Sequence, residues 1–145
     1  SSVKEFNSIP YMIDYLTAVL PATHPLAKAD NLPFEQLRGE TFLLFPEHSF
    51  INDLCIRECR NAGFEPHIAY TGNRGATLID LVRNGAGITL MMHHSARQEN
   101  DSSLAFIPVT PGIYSYISLN YAKEKPLSPQ AESFVRYVKA HKRDF

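Results

Sequence analysis

Thr41-Phe42-Leu43-Leu44-Phe45, the loop Pro46-Glu47-His48-Ser49, the segment Phe50 to Ala62, then Gly63 and His67-Ile68-Ala69-Tyr70-Thr71 together decide the fold. TFLLF is a continuous apolar run bounded by Gly39 and Pro46, which predicts a strand buried on both faces. In the next segment Ile51, Leu54, Cys55, Cys59 and Ala62 recur at helical spacing, and Gly63 supplies a left-handed stop. HIAYT reads as a second strand. Strand, helix, strand is the signature of a right-handed βαβ unit, whose strands run parallel.

The same alternation continues downstream. Arg74 to Asn84 predicts a helix with Leu78, Ile79 and Val82 inward and Gly85 at its end. Ile88 to Met92 (ITLMM) predicts another buried strand, His94 to Gln98 a short helix, and Ala105 to Val109 a strand. Tyr114 to Tyr121 reads as a longer strand. Ser128-Pro129 opens a last helix, serine as cap and proline in the first turn, with Ala131, Phe134, Val135 and Val138 as its apolar stripe. Upstream, Leu16 to Leu20 is a strand ended by Pro21, His24-Pro25-Leu26-Ala27 a turn, and Pro33 to Leu37 a helical turn. The expectation is an α/β fold with a mostly parallel sheet flanked by helices.

Composition narrows the function. The chain has 145 residues, 44% hydrophobic and 20% charged, with a formal net charge of -1. That is an ordinary globular balance for one domain. No run of like charge offers the basic stripe that phosphate backbones require, so this chain alone is not expected to bind DNA. No apolar run approaches the roughly 20 residues that span a bilayer, and SSVKEFNSIPYM does not read as a secretory signal. Two cysteines are too few for a disulfide framework and fit a reducing, cytoplasmic setting.

In an open parallel sheet, ligands bind beyond the carboxyl ends of the strands, where helix N-termini converge. Three places qualify. Strand 41–45 runs into Pro46, Glu47, His48, Ser49 and Phe50, with Ser49 placed to cap the helix. Strand 67–71 runs into Gly72, Asn73 and Arg74, with Asn73 placed to cap the next one. Strand 88–92 ends at Met92 and runs into His93, His94 and Ser95. Two helix N-termini with Arg74 beside them favour a carboxylate or another small anion. The competing reading is that Ser49 and Asn73 only cap helices and that Gly72 and Gly75 only permit turns.

Other candidates carry less. Cys55 and Cys59 stand four apart, a metal or redox spacing, yet both lie in the apolar stripe and read as buried structural thiols. His93-His94 resembles a metal pair, but adjacent side chains at a strand end point in opposite directions. There is no GxSxG, HExxH or phosphate-binding glycine loop. The chain reads as a binder with no catalytic residue, metal or cofactor.

The ordered motifs resemble a known family. Asp14-Tyr15-Leu16-Thr17-Ala18-Val19-Leu20-Pro21 with His24-Pro25-Leu26-Ala27 resembles the "D-L-x-x-V-L-P-x-x-H-P-L-A" passage of LysR-type transcription regulators. Leu32 to Glu40 followed by Phe42-Leu43-Leu44 is similar to that family's next helix and strand. Ala62-Gly63-Phe64-Glu65-Pro66 and Leu81-Val82-Arg83-Asn84-Gly85-Ala86-Gly87-Ile88 are similar to its "A-G-F-x-P" and "L-V-x-x-G-x-G-I" elements, and Ser128 to Val138 to its closing helix. The resemblance runs from Ile9 to His141. One departure is Met91-Met92-His93-His94, where the family often carries proline.

The resemblance implies a periplasmic-binding-protein-like (type II) fold of two α/β lobes. Residues 22–118 would form the second, effector-binding lobe. Residues 1–21 and 119–145 would be crossing strands and remnants of an incomplete first lobe. It also implies a small-molecule effector in an inter-lobe cleft, its wall formed by Pro46 to Phe50, Gly72 to Arg74, Met92 and His93. A dimer or tetramer pairing head to tail through helix 50–62 and strand 67–71 is implied, with DNA bound only through an N-terminal module absent from this chain. A transporter's solute-binding protein is the other reading of this architecture. A hydrolase or metal-dependent enzyme comes third, with loss of activity on Cys55→Ser as its signature.

Overall fold

A computed structural model describes residues 6–99, 101–123 and 126–140. The elements are β1 (Phe6–Pro21), β2 (Leu32–Pro33), a 3-10 turn (Phe34–Leu37), β3 (Thr41–Leu44), α1 (Phe50–Asn61), β4 (His67–Thr71) and α2 (Gly75–Arg83). They continue with β5 (Thr89–Met92), α3 (His93–Arg97), β6 (Leu104–Thr110), β7 (Tyr114–Ala122) and α4 (Pro129–Ala140). Every expected element is present, with ends shifted by one or two residues for most. The exception is β1, expected at Leu16 to Leu20 and observed from Phe6. Pro10, with polar Asn7 and Ser8, hides its first half from any strand pattern.

Backbone contacts divide the chain into two compact units, Tyr15–Ile113 and the segments up to Asp14 and from Tyr114 onward. In the larger unit β5 and β6 both pair antiparallel with β1, and β2 pairs parallel with β6. β3 pairs parallel with β4, and a parallel bridge from Phe42 to Ile88 joins it to the approach of β5. Strands β2 to β6 therefore share one direction and β1 opposes them. The sheet is mostly parallel as expected, but mixed, because the long β1 runs against its neighbours.

Side-chain alternation then builds three layers. Ala18, Leu20, Phe42, Leu44 and Leu90 point to one face, where Leu54, Cys55 and Cys59 of α1 cover them. Val19, Leu43 and Met91 point to the other, under Leu78, Ile79 and Val82 of α2 and Ala96 of α3. β3 is buried on both faces, as its unbroken apolar run required.

Two local devices hold this frame. The Arg38 guanidinium donates to the carbonyls of Ala62 (3.1 Å) and Gly63 (3.3 Å) at the C-terminus of α1, and stands 5.0 Å from the Phe64 ring. It fills the role that C-terminal cations play for exposed helix carbonyls. At the seam, the Leu43 amide donates to Ile88 O and the Ile88 amide to Thr41 O, each at 2.8 Å. Gly87 lies against that seam, and a Cβ there would overlap the Thr41 carbonyl.

In the smaller unit β7 pairs with β1, and Val135 and Val138 of α4 pack with Ile9. Ser128 Oγ accepts the Ala131 amide at 3.1 Å, the expected cap. Phe134, expected in the buried stripe, is 55% exposed. His141 and the ends of the segments 1–21 and 119–145 lie outside the described residues.

Candidate functional site

Because β3, β4 and β5 run in one direction as neighbours, their C-terminal ends lie at one sheet edge, and all three candidate loops leave from it. The β3–α1 loop is the most constrained. The Ser49 amide donates to Pro46 O (3.0 Å), and Ser49 caps α1 by accepting the Asn52 amide on Oγ (3.4 Å) and the Asp53 amide on its carbonyl (3.0 Å). His48 holds a left-handed backbone, φ 69°, a conformation that costs a non-glycine residue about 1 kcal/mol or more and is common at functional loops. The buried Asn52 donates from Nδ2 to Phe45 O at 2.9 Å, tying the end of β3 to the first turn of α1. Pro46 and Ser49 are half-buried, while Glu47, His48 and Phe50 are exposed.

At the β4–α2 loop the Gly72 amide donates to Leu44 O (3.0 Å), continuing the ladder one step past the strand. Tyr70 folds back over it, so that a Cβ on Gly72 would lie 2.7 Å from the Tyr70 hydroxyl. The expectation that Asn73 caps α2 is corrected. Arg74 is the cap residue, its carbonyl accepting the amides of Thr77 (3.1 Å) and Leu78 (3.3 Å), and no side chain caps the helix. The reason is backbone geometry: Arg74 is still extended, φ -112° and ψ 115°, so the helix starts one residue beyond the reach of Asn73. Gly75, the first helical residue, sits where an added Cβ would touch Phe45 (3.7 Å) and Met91 (3.9 Å). The N-terminus of α2 therefore rests on the ends of β3 and β5. Among the described residues no carboxylate pairs with the exposed Arg74.

At the end of β5, Met92 is half-buried, and α3 begins at His93, one residue earlier than expected. The His93 ring stacks on Tyr15 of β1, centroids 4.4 Å apart and planes at 14°. His93 and His94 are successive residues of a helical turn, about 100° apart around its axis. Among the described residues no group of three or more His, Cys, Asp or Glu side chains is placed to hold a metal.

The edge thus brings together the starts of α1 and α2, with the exposed Arg74 at the cap of α2 paired to no carboxylate among the described residues. Sequence reasoning missed Asn52, Tyr70 and Tyr15. Asn52 carried a signal, a polar residue at the third helical position after a serine cap. Tyr70 and Tyr15 carried none, since a strand pattern does not say which aromatic folds over a neighbouring loop.

Cys55 and Cys59 face each other in the core with Sγ atoms 4.0 Å apart, both free and fully buried. The hydrogen bond shared with Cys59, and then burial, push the Cys55 thiol well above its usual pKa. Both environments favour the neutral thiol, in keeping with a structural place in the apolar stripe.

The pattern of the LysR substrate binding domain matches residues 2–143. This chain belongs to that family. The LysR domain is 30% identical over 122 residues to the transcriptional dual regulator GltC of Bacillus subtilis (strain 168), covering 83% of this chain and 41% of that protein. The chain thus spans less than half the length of that relative. Among solved structures it is similar to the C-terminal domain of a probable LysR family regulator from Rhodococcus sp. RHA1, with TM-score 0.66 and 26% identity over 93% of this chain and 68% of that one. It is also similar in fold to the Synechocystis PCC6803 CcmR regulatory domain in complex with 2-PG. There the TM-score is 0.75 at 19% identity, covering 97% of this chain and 69% of that one. The type II periplasmic-binding-protein-like fold expected of this LysR domain is therefore shown.

Proposed function

We propose that this LysR domain is the sensing part of a bacterial transcription regulator. In this reading a small anion docks against Pro46, Glu47, His48, Ser49 and Phe50, Gly72, Asn73 and Arg74, Met92 and His93. The observation that carries it is that α1 and α2 both start at one sheet edge, with Arg74 at the cap of α2 paired to no carboxylate among the described residues. That arrangement supplies hydrogen-bond donors and positive charge for an anion, and in this reading the domain binds a ligand and does not catalyse a reaction. The similar CcmR domain was solved with 2-PG bound, which supports a small-molecule effector here.

The lobe carrying this wall spans residues 22–118 in this reading, with 1–21 and 119–145 as crossings and parts of a first lobe that supplies the opposite wall. Effector binding biases the lobe arrangement and so the way a cytoplasmic dimer or tetramer presents its DNA-binding modules. Those modules precede the sensing domain. A transporter's solute-binding protein has the same architecture, but the family match and the regulator relatives favour the sensor.

The test is a thermal-shift screen of the full-length protein against small carboxylates, amino acids, aromatic acids and inorganic anions. A dose-dependent rise with one class, lost on Arg74→Ala, is expected. A rise that Arg74→Ala leaves intact would move the site elsewhere.

A further inference from the structure

Beneath the edge where β5 ends, two buried hydroxyls have no partner. Thr17 and Thr89 are fully buried, and neither Oγ1 makes a hydrogen bond. The register sets Thr17 opposite Met91 and Val19 opposite Thr89. Directly opposed residues share a face, and Val19 and Met91 point into the core under α2, so all four side chains do. Tyr15 and His93, stacked on each other, form the next rung towards the candidate loops.

Thr17 and Thr89 are thus diagonal cross-strand neighbours, about 7–8 Å apart at the backbone. One oxygen at about 2.8 Å from each hydroxyl spans such a gap. Beside them lies Met91, whose methyl group would be 3.9 Å from a Cβ on Gly75 at the start of α2. Methionine is unbranched and adaptable, so this cover yields to a ligand more readily than a branched side chain. Valine would fill the space of either threonine, suits a strand, and strands no polar atom.

We propose that Thr17 and Thr89 form a polar subsite of the effector site that takes one hydroxyl of the ligand, making the effector class a small hydroxy acid. This rests on the reading of the sheet edge as an anion site. Each threonine hydroxyl both donates and accepts, which matches an alcohol. The cluster packed around them, including Val19, Leu78, Ile79 and Met91, is apolar. A carboxylate there would be a buried unpaired charge, so the acid group stays at Arg74 and the helix N-termini.

The test is calorimetry on the full-length protein with matched pairs: glycolate and acetate, lactate and propionate, malate and succinate. We expect at least a tenfold preference for one hydroxy acid over its deoxy partner. Thr17→Val and Thr89→Val should each bring that ratio towards one, while the ligand-free melting temperature holds or rises because a stranded hydroxyl is gone. A ratio unchanged in both variants, or no preference in the native protein, overturns the subsite, with the anion site intact if Arg74→Ala still weakens the acids. Variants that melt lower with an unchanged ratio make the pair a structural water site and overturn it equally. If no acid binds, the anion-site reading itself has failed and the subsite falls with it.

Discussion

His24 accepts the Leu26 amide on Nδ1 (3.0 Å) and faces Glu40 through Nε2 (2.7 Å), which fixes the ring in the tautomer with its proton on Nε2. The contact is partly buried, with 16% of the His24 side chain and 23% of the Glu40 side chain exposed. Losing both bonds in His24→Ala strands an amide and a carboxylate, and the variant should be less stable by about 1–3 kcal/mol. Urea unfolding with an unchanged slope checks it; a loss of only a few tenths would make the turn self-sufficient. Arg74 belongs to the same scale with the opposite expectation. It touches no carboxylate among the described residues, so Arg74→Ala should leave the melting temperature nearly unchanged and weaken a bound anion about tenfold, the effect of one charge-assisted contact. His24 was legible in the sequence as a turn residue and Arg74 as a charge beside a helix start. Asn52 was not, because its role depends on the Phe45 carbonyl, which only the folded loop brings beside it.

Elements were legible where their apolar period was unbroken. TFLLF, ITLMM and the α1 and α2 stripes could be placed almost to the residue, because burial on one face or two leaves that period in the sequence. Direction was not: nothing in Leu16 to Leu20 says that β1 runs against the strands beside it, since a strand buried on both faces reads alike either way. The seam between β3 and β5 was equally hidden. Two main-chain hydrogen bonds hold it, with Gly87 against the Thr41 carbonyl. Gly87→Ala should push the strands apart and cost about 1–3 kcal/mol, read as a lower urea midpoint. A wild-type midpoint would show that the seam has slack.

The link from α2 to β6 gives a pH dependence. Arg83 Nε donates to Asp101 at 2.5 Å, and Arg83 also pairs with Asp80. The Ser103 amide, then the Ser103 side chain and Arg83, hold the Asp101 carboxyl down at about 2 from its usual 3.8. A depressed carboxyl contributes stability that is present above its unfolded pKa and lost as pH falls through the folded one. Wild-type protein should therefore exceed Asp101→Asn in melting temperature above about pH 4, and the gap should close between about pH 4 and pH 2. A gap constant down to pH 2 would mean that the carboxylate adds nothing beyond its shape.

For the molecule as a whole, stability is unevenly distributed. The larger unit has two interior clusters, one on each face of its sheet, closed by α1 on one side and by α2 and α3 on the other. Among its described residues the smaller unit buries Ile9, Met12, Val135 and Val138, with Leu119, Tyr121 and Leu127 partly covered. It leaves Tyr114 59%, Tyr116 71%, Phe134 55% and Tyr137 56% exposed. A core that small cannot offset the chain entropy of ordering two strands and a helix, and aromatic surface of that extent is what protein contacts cover. Expressed alone, residues 1–145 should self-associate or melt in two steps, the smaller unit first. Phe134→Glu should reduce the association without moving the second step, because Phe134 is absent from the larger unit's interior. Sedimentation and calorimetry together decide it. A single monomer boundary with one cooperative transition would show that the smaller unit is held by interactions other than its own core.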